Sequence, residues 1–158
     1  MFSIRRAVAA DSPAIFDVHV GAITRLCAAA YAPEEIESWI VNKKPDGYVS
    51  VIAANDFFVA TTADRVVGFS ELEPQSAEIR AVYVHADFMR RGLGTLLLRT
   101  TEDAARARGA TRVHLRATLN AVAFYQARGY MNDGPGTLQF SNGVALRYVL
   151  MHKHVSPE

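Results

Sequence analysis

The chain has 158 residues, half of them hydrophobic and 21% charged. That excludes a disordered or collagen-like polymer and predicts a single domain over residues 1–158, since domains run to about 100–200 residues. Lys and Arg number 17 against 16 Asp and Glu, a formal net charge of +1. So even a balance argues against a dedicated nucleic-acid binder and against a protein held on membranes by a basic surface. Any anion this chain binds is then gripped by local geometry.

The lone cysteine, Cys27, excludes an intrachain disulfide framework. In the run Leu26-Cys27-Ala28-Ala29-Ala30 it reads as a buried apolar helical residue and not a nucleophile. The first residues lack a signal-peptide core, and no run approaches the roughly 18 apolar residues of a membrane span. The expectation is a soluble, cytoplasmic protein.

In chain order, residues 2–8 read as a strand. Asp11-Ser12-Pro13 reads as a capped helix start, and that helix runs to about residue 30. Ala32-Pro33-Glu34-Glu35 opens a second helix, with Ile36, Trp39 and Ile40 on one face. A polar break at 43–47 precedes short strands at 49–53 and 56–62, the turn Ala63-Asp64-Arg65, and strands at 66–73 and 77–85. A loop at 86–91 leads into a helix over 92–108, ended by Gly109. Residues 112–117 alternate as a strand, 121–128 form a helix ended by Gly129, and strands at 137–140 and 144–151 flank Ser141-Asn142-Gly143, with Asn-Gly a strong hairpin signal. This is a mixed α/β pattern, an antiparallel meander feeding a parallel pair through a right-handed crossover helix.

The most informative stretch runs from Ile79 through Leu98. A strand enters the loop Met89-Arg90-Arg91, then Gly92-Leu93-Gly94-Thr95 opens a helix. Free N–H groups and the positive helix end converge there, which suits a phosphate or pyrophosphate. Glycines let a ligand approach the backbone, and Arg90 and Arg91 add charge at the rim. A dinucleotide fingerprint needs a third glycine where Leu97 stands, and a Walker loop needs Gly-Lys where Gly94-Thr95 stands. Taken alone, G-x-G is also compatible with an ordinary glycine-assisted loop.

Met89-Arg90-Arg91-Gly92-Leu93-Gly94 following Val82-Tyr83-Val84-His85 resembles the Arg/Gln-x-x-Gly-x-Gly/Ala element of the GCN5-related N-acetyltransferase superfamily. The run from Asn120 through Phe124-Tyr125 to Gly129-Tyr130 is similar to the family's downstream element. Met89 departs from the family's Arg or Gln, which puts that side chain's pyrophosphate contact in doubt and leaves the backbone contacts in place. The resemblance implies a mixed sheet of about six or seven strands with about four helices and a splayed parallel central pair. It implies acetyl-CoA as cosubstrate, its pantetheine arm along the backbone of Val82, Tyr83 and Val84, its pyrophosphate on residues 89–95, and contacts from Asn120 and Phe124. Asn120 is alternatively the N-cap of the helix over 121–128.

The implied reaction is acetyl transfer to a primary amine. A lysine-type amine has a pKa of about 10.4, so a fraction on the order of 10⁻³ is neutral near pH 7, and a proton must be removed before attack. Glu78, 14 residues before Gly92, is the first candidate base by similarity to the histone-acetylating members. Glu71, Glu73 or an ordered water are alternatives. Tyr125 is the candidate acid for the departing thiolate. His85 reads as structural. His152 and His154 lack a third ligand, so no metal site is expected. Residues 25–42, with Glu34, Glu35, Glu37 and Trp39, wall the acceptor pocket in the implied fold. Their glutamates either attract a cationic amine or are simply exposed helix positions. A non-catalytic acyl-CoA-binding or sensing domain is the main rival. A nucleotide-binding protein is a weaker one. A homodimer through the face of residues 144–151 is a further expectation.

Overall fold

The computed structural model describes residues 1–156. The elements in chain order are β1 (Ser3–Arg6), α1 (Ser12–Leu26), α2 (Pro33–Ile40), α3 (Val49–Ala54), β2 (Asp56–Thr62), β3 (Arg65–Glu73), β4 (Glu78–Val84), α4 (Leu93–Ala107), β5 (Arg112–Ala117), α5 (Val122–Gln126), β6 (Met131–Gln139) and β7 (Ala145–His154). The strands form one mixed sheet in the order β1-β2-β3-β4-β5-β7-β6. Every pair is antiparallel except β4 with β5. The parallel pair needs a crossover, and α4 supplies it.

Both faces of the sheet are covered. The strand period of two sends Phe57 and Val59 of β2 to one face, where they meet Ile15 and Val18 of α1 and Phe69 of β3. Ala60 goes to the other, against Leu93 and Leu97 of α4. Farther along α4, Leu98 and Ala105 join Leu72, Val113, Leu115 and Met151 in a second core beneath β5 and β7. The buried Thr101 hydroxyl meets the Ser70 hydroxyl at 2.7 Å.

Four local expectations change. Residues 49–53 are helical, because β1 and β3 already occupy the two edges of β2 and leave no sheet position there. Val51 and Ile52 pack on the Ile15 cluster instead. Asp11 does not cap α1 with its side chain. Its carboxylate accepts both terminal nitrogens of Arg5, at 2.8 and 2.9 Å, and the Val8 N–H at 2.8 Å. The last hairpin is longer than 137–151. β6 begins at Met131 and carries Gly134-Pro135-Gly136, with a register shift between Asn132 and Gly134. It is an edge strand, where the missing proline N–H is tolerated. The helix expected at 121–128 is a 3-10 turn over Leu119–Ala121 followed by the short α5. Asn120 lies inside that turn and does not cap α5.

Asp56, almost fully buried at the start of β2, fastens one end of the sheet. It accepts from Arg6 at 2.8 Å and from Arg108, just past α4, at 2.6 and 3.0 Å. The Arg108 hydrogen bonds, aided by Arg6, hold its carboxyl below the ordinary 3.8 against the opposing effect of burial. A depressed carboxyl stabilises the fold above its unfolded value and loses that contribution as pH falls through the folded value. Asp56→Asn is expected to lower stability by about 1–3 kcal/mol near neutral pH, because both arginines stay half exposed. Urea melts should show this deficit shrinking below about pH 4. A deficit of equal size in acid would assign it to packing and not to charge.

Candidate functional site

β4 and β5 pair at two positions only, Glu78 with His114 and Ile79 with Leu115. Beyond them β4 stays with β3 as far as Val84, and β5 stays with β7 as far as Ala117. Each strand is held from its outer side, so the two part and leave inner edges without a strand partner. Two cavities open on either side of this splay.

The first, of about 140 Å³, lies between β4, the start of α4, α5 and the end of α1. Val82, Tyr83 and Val84 line it from β4, Met89 and Gly94 from the glycine loop, and Asn120, Phe124 and Tyr125 from the opposite wall. Gly92 starts α4 at φ +76°, a backbone state that favours glycine. The first helical bond runs from the Leu96 N–H to the Gly92 carbonyl. The N–H groups of Leu93, Gly94 and Thr95 therefore have no acceptor within the helix. A side chain at Gly94 would place its Cβ 3.3 Å from the Phe124 ring, so loop and wall approach closely. Arg90 and Arg91 are exposed, while the Leu93 side chain is buried in the core below. This arrangement fits an anion over the helix start and an uncharged arm along β4.

Arg128 was not singled out by the sequence reading. Its guanidinium lies 3.8 Å over the Phe124 ring, donates to Thr95 Oγ1 at 2.7 Å and to the Phe124 carbonyl at 2.8 Å, and so fastens α5 to the start of α4. Tyr125 packs edge-on to Phe124 and Tyr130, and burial raises its hydroxyl pKa. It is therefore a protonated donor throughout the neutral range. Cys27 also borders this cavity, and burial pushes its thiol up to about 11, against a smaller opposing contribution from Asn120. A thiol so protonated is a packing group.

The second cavity, of about 460 Å³, is walled by α1, α2, β4, β5 and the β6–β7 hairpin. Glu78 opens into it. The Glu78 carboxylate accepts from Arg80 Nε at 3.1 Å, and its other oxygen lies 3.7 Å from Arg116 Nε. His19 also lines this cavity. Its Nδ1 is 2.7 Å from the Tyr48 hydroxyl and its ring lies against Tyr83 and Phe69. Burial lowers its pKa well below the ordinary 6.5, so it is neutral near pH 7. His19 follows Ile15 by four positions and Val18 by one, which puts it on the buried face of α1. Helical spacing was the signal that could have found it.

A small void of about 30 Å³, bounded by Val82, Tyr83, Arg116, Thr118 and Tyr125, shares lining residues with both cavities and so lies between them. The sequence-predicted residues thus separate: Tyr125 borders the first cavity and the junction, and Glu78 borders the second. Glu71 is buried and accepts from Asn55 at 2.7 Å, with its pKa raised by burial; Glu73 folds onto Ser76. Neither lines these cavities. Glu35, on α2, is taken up by Arg147 and by its own helix start. Glu34 and Glu37 are exposed.

Residues 27–154 match a family model described as the acetyltransferase (GNAT) domain. The fold is shared with a GCN5-related N-acetyltransferase from Rhodopseudomonas palustris, at 28% identity and TM-score 0.90, covering 97% of this chain and 95% of that one. It is shared with the PaiA N-acetyltransferase from Thermoplasma acidophilum, solved in complex with coenzyme A, at 20% identity and TM-score 0.79 over 98% and 99% of the two chains. It is also shared with yncA from Salmonella typhimurium, solved with its cofactor acetyl-CoA, at 20% identity and TM-score 0.72 over 99% and 98%. The family match runs through the glycine loop, the splayed strands and the closing hairpin, and the chain belongs to the GNAT acetyltransferase domain family.

Proposed function

We propose that this protein is an N-acetyltransferase that moves the acetyl group of acetyl-CoA to a primary amine by direct attack in a ternary complex. The observation that carries the reading is the pair of neighbouring cavities at the β4–β5 splay, one narrow and largely apolar, the other wide and charged, with Tyr83 and Thr118 lining both. Solved relatives carry coenzyme A or acetyl-CoA on the same fold. Acetyl-CoA supplies a thioester whose carbonyl carbon accepts the amine nitrogen and whose sulfur leaves.

The chain's own groups then have distinct tasks. Inner-edge backbone of Val82 and Val84 pairs with the amides of the arm, as a strand edge pairs with an added strand. The free N–H groups at 93–95 hold the pyrophosphate, and Arg90 and Arg91 add charge beside it. Asn120 and Phe124 form the facing wall. Tyr125 donates a hydrogen bond to the sulfur as negative charge develops there. Glu78 takes the proton from the amine, directly or through water. A second candidate for that proton is His19, an imidazole kept neutral in the same cavity. A domain that only holds acyl-CoA has no use for a second, charged cavity next to the first beside a buried tyrosine.

Acetyl-CoA is expected to raise the melting temperature, and ATP and NAD are not. Absence of a shift with acetyl-CoA removes the cosubstrate. Tyr125→Phe should lower kcat on the order of 10²-fold while the acetyl-CoA shift persists. Unchanged turnover takes Tyr125 out of the acid role. Glu78→Gln should flatten the limb of kcat/KM that rises with pH. If the limb survives in Glu78→Gln and disappears in His19→Gln, the proton goes to the imidazole instead.

A further inference from the structure

We propose that the acceptor is a small zwitterion, an amine with a carboxylate or phosphonate close to its nitrogen. This rests on the acetyl-transfer reading of the second cavity. Lys43, Arg80, Arg116 and Arg147 all line that cavity. Within the lining Glu78 is the one carboxylate that answers them; outside it Glu35 pairs with Arg147 at 2.8 Å, and Glu71 and Glu73 lie close enough to Arg80 to feel its charge. The lining itself carries four cations against one carboxylate, in a chain whose whole net charge is +1. A bulk charge effect does not produce this. The cations are placed there.

Their placement has a chemical sense. Arg80 and Arg116 each stand two residues past the last-but-one paired position of the parallel strands, Glu78 with His114, so the two guanidiniums flank the mouth of the splay. Arg80 uses its Nε for Glu78, and among the described residues the terminal nitrogens of both arginines make no hydrogen bond within the protein. A planar fork of free N–H groups matches a carboxylate or phosphonate. Lys43 is half buried and, among the described residues, makes no ion pair; burial lowers its pKa. An anion beside it would offset that burial. Glu78 is the lone carboxylate of the lining and is the natural partner of the ammonium end. Polyamines and aminoglycosides bring several cations to a site already in positive surplus, and the volume of about 460 Å³ suits a small molecule.

In the reaction the ammonium gives one proton to the base, the neutral amine nitrogen forms a C–N bond to the thioester carbonyl carbon and then gives up a second proton, and the C–S bond breaks, so the net products are the amide, the thiol and one proton. The sulfur leaves with the electron pair and gains a proton. The anionic group is unchanged, so its contribution is to binding and orientation.

The test measures thiol release by the full chain with acetyl-CoA and the standard amino acids, their carboxamides, aminoalkylphosphonates, putrescine and spermidine. At least one acid or phosphonate should exceed every polyamine, and an acid should exceed its own carboxamide about 10–100-fold in kcat/KM. The carboxamide's amine gives up its proton more readily, so intrinsic reactivity runs against this preference. Arg80→Gln and Arg116→Gln should raise KM for the acid by a similar factor, with the thermal shift by acetyl-CoA unchanged. Carboxamides or polyamines turned over as well as the acids overturn the proposal, as do arginine variants that leave KM for the acid unmoved. If acetyl-CoA binds and nothing in the panel is acetylated, the zwitterion proposal falls while the cosubstrate reading stands. If acetyl-CoA does not bind, both fall.

Discussion

The structure turns on the early end of one strand pairing. β4 and β5 share two register positions and then separate, while their outer neighbours continue. Backbone amides are obligatory hydrogen-bonding groups, and an inner edge left without a strand partner must find another partner or water. The separation is held by bulk. Tyr83 stacks on Phe69 and His19 on one side, and Tyr125 packs with Phe124 and Tyr130 on the other. Closing the sheet would require both aromatic groups to leave their packed sites. The cleft is therefore a built feature of the core, and both cavities follow from it.

Charge is arranged around that cleft in two ways. Away from it, carboxylates meet guanidinium or ammonium groups in contacts that join separate segments: Asp11 with Arg5, Asp56 with Arg6 and Arg108, Glu102 with Lys153. Glu102 also accepts from Tyr130 at 2.8 Å, so a single buried carboxylate ties α4 to both the residue before β6 and to β7. At the cleft the pairing is incomplete. One carboxylate stands between two arginines, and a lysine nearby has none. Near-neutrality over the whole chain conceals this local arrangement.

The order of elements and the glycine loop were legible in the sequence because both rest on local rules. Arg112–Ala117 alternates with period two, and Gly92 marks a left-handed residue at a helix start. The expected strand at 49–53 failed because a short apolar run carries no clear period. Whether it extends depends on a free sheet edge, a property of the whole sheet. Residues 131–136 hid as a loop because Gly-Pro-Gly reads as punctuation, although an edge strand accepts it. The second cavity was least legible. Its cations come from the loop after α2 and from β4, β5 and β7, which are far apart in the chain. Of the α2 glutamates, Glu35 is consumed by Arg147, and Glu34 and Glu37 are exposed, as helix positions facing solvent are.

Glu78 links these observations. It sits at the first of the two paired positions of β4, opposite His114, where the backbone is fixed by the sheet on both sides. Its side chain is the first to reach the open cleft, and both of its oxygens point toward arginines that lie farther along the splay. A carboxylate anchored on rigid backbone can hold two flexible guanidiniums at a set separation, which long arginine side chains do not keep unaided. The same group can receive a proton only at the cost of loosening that grip. On the proposed role of Glu78 as the base, proton removal from an amine and orientation of the arginines are coupled through one residue. The charge of an acceptor lying between them decides how strongly the two tasks compete.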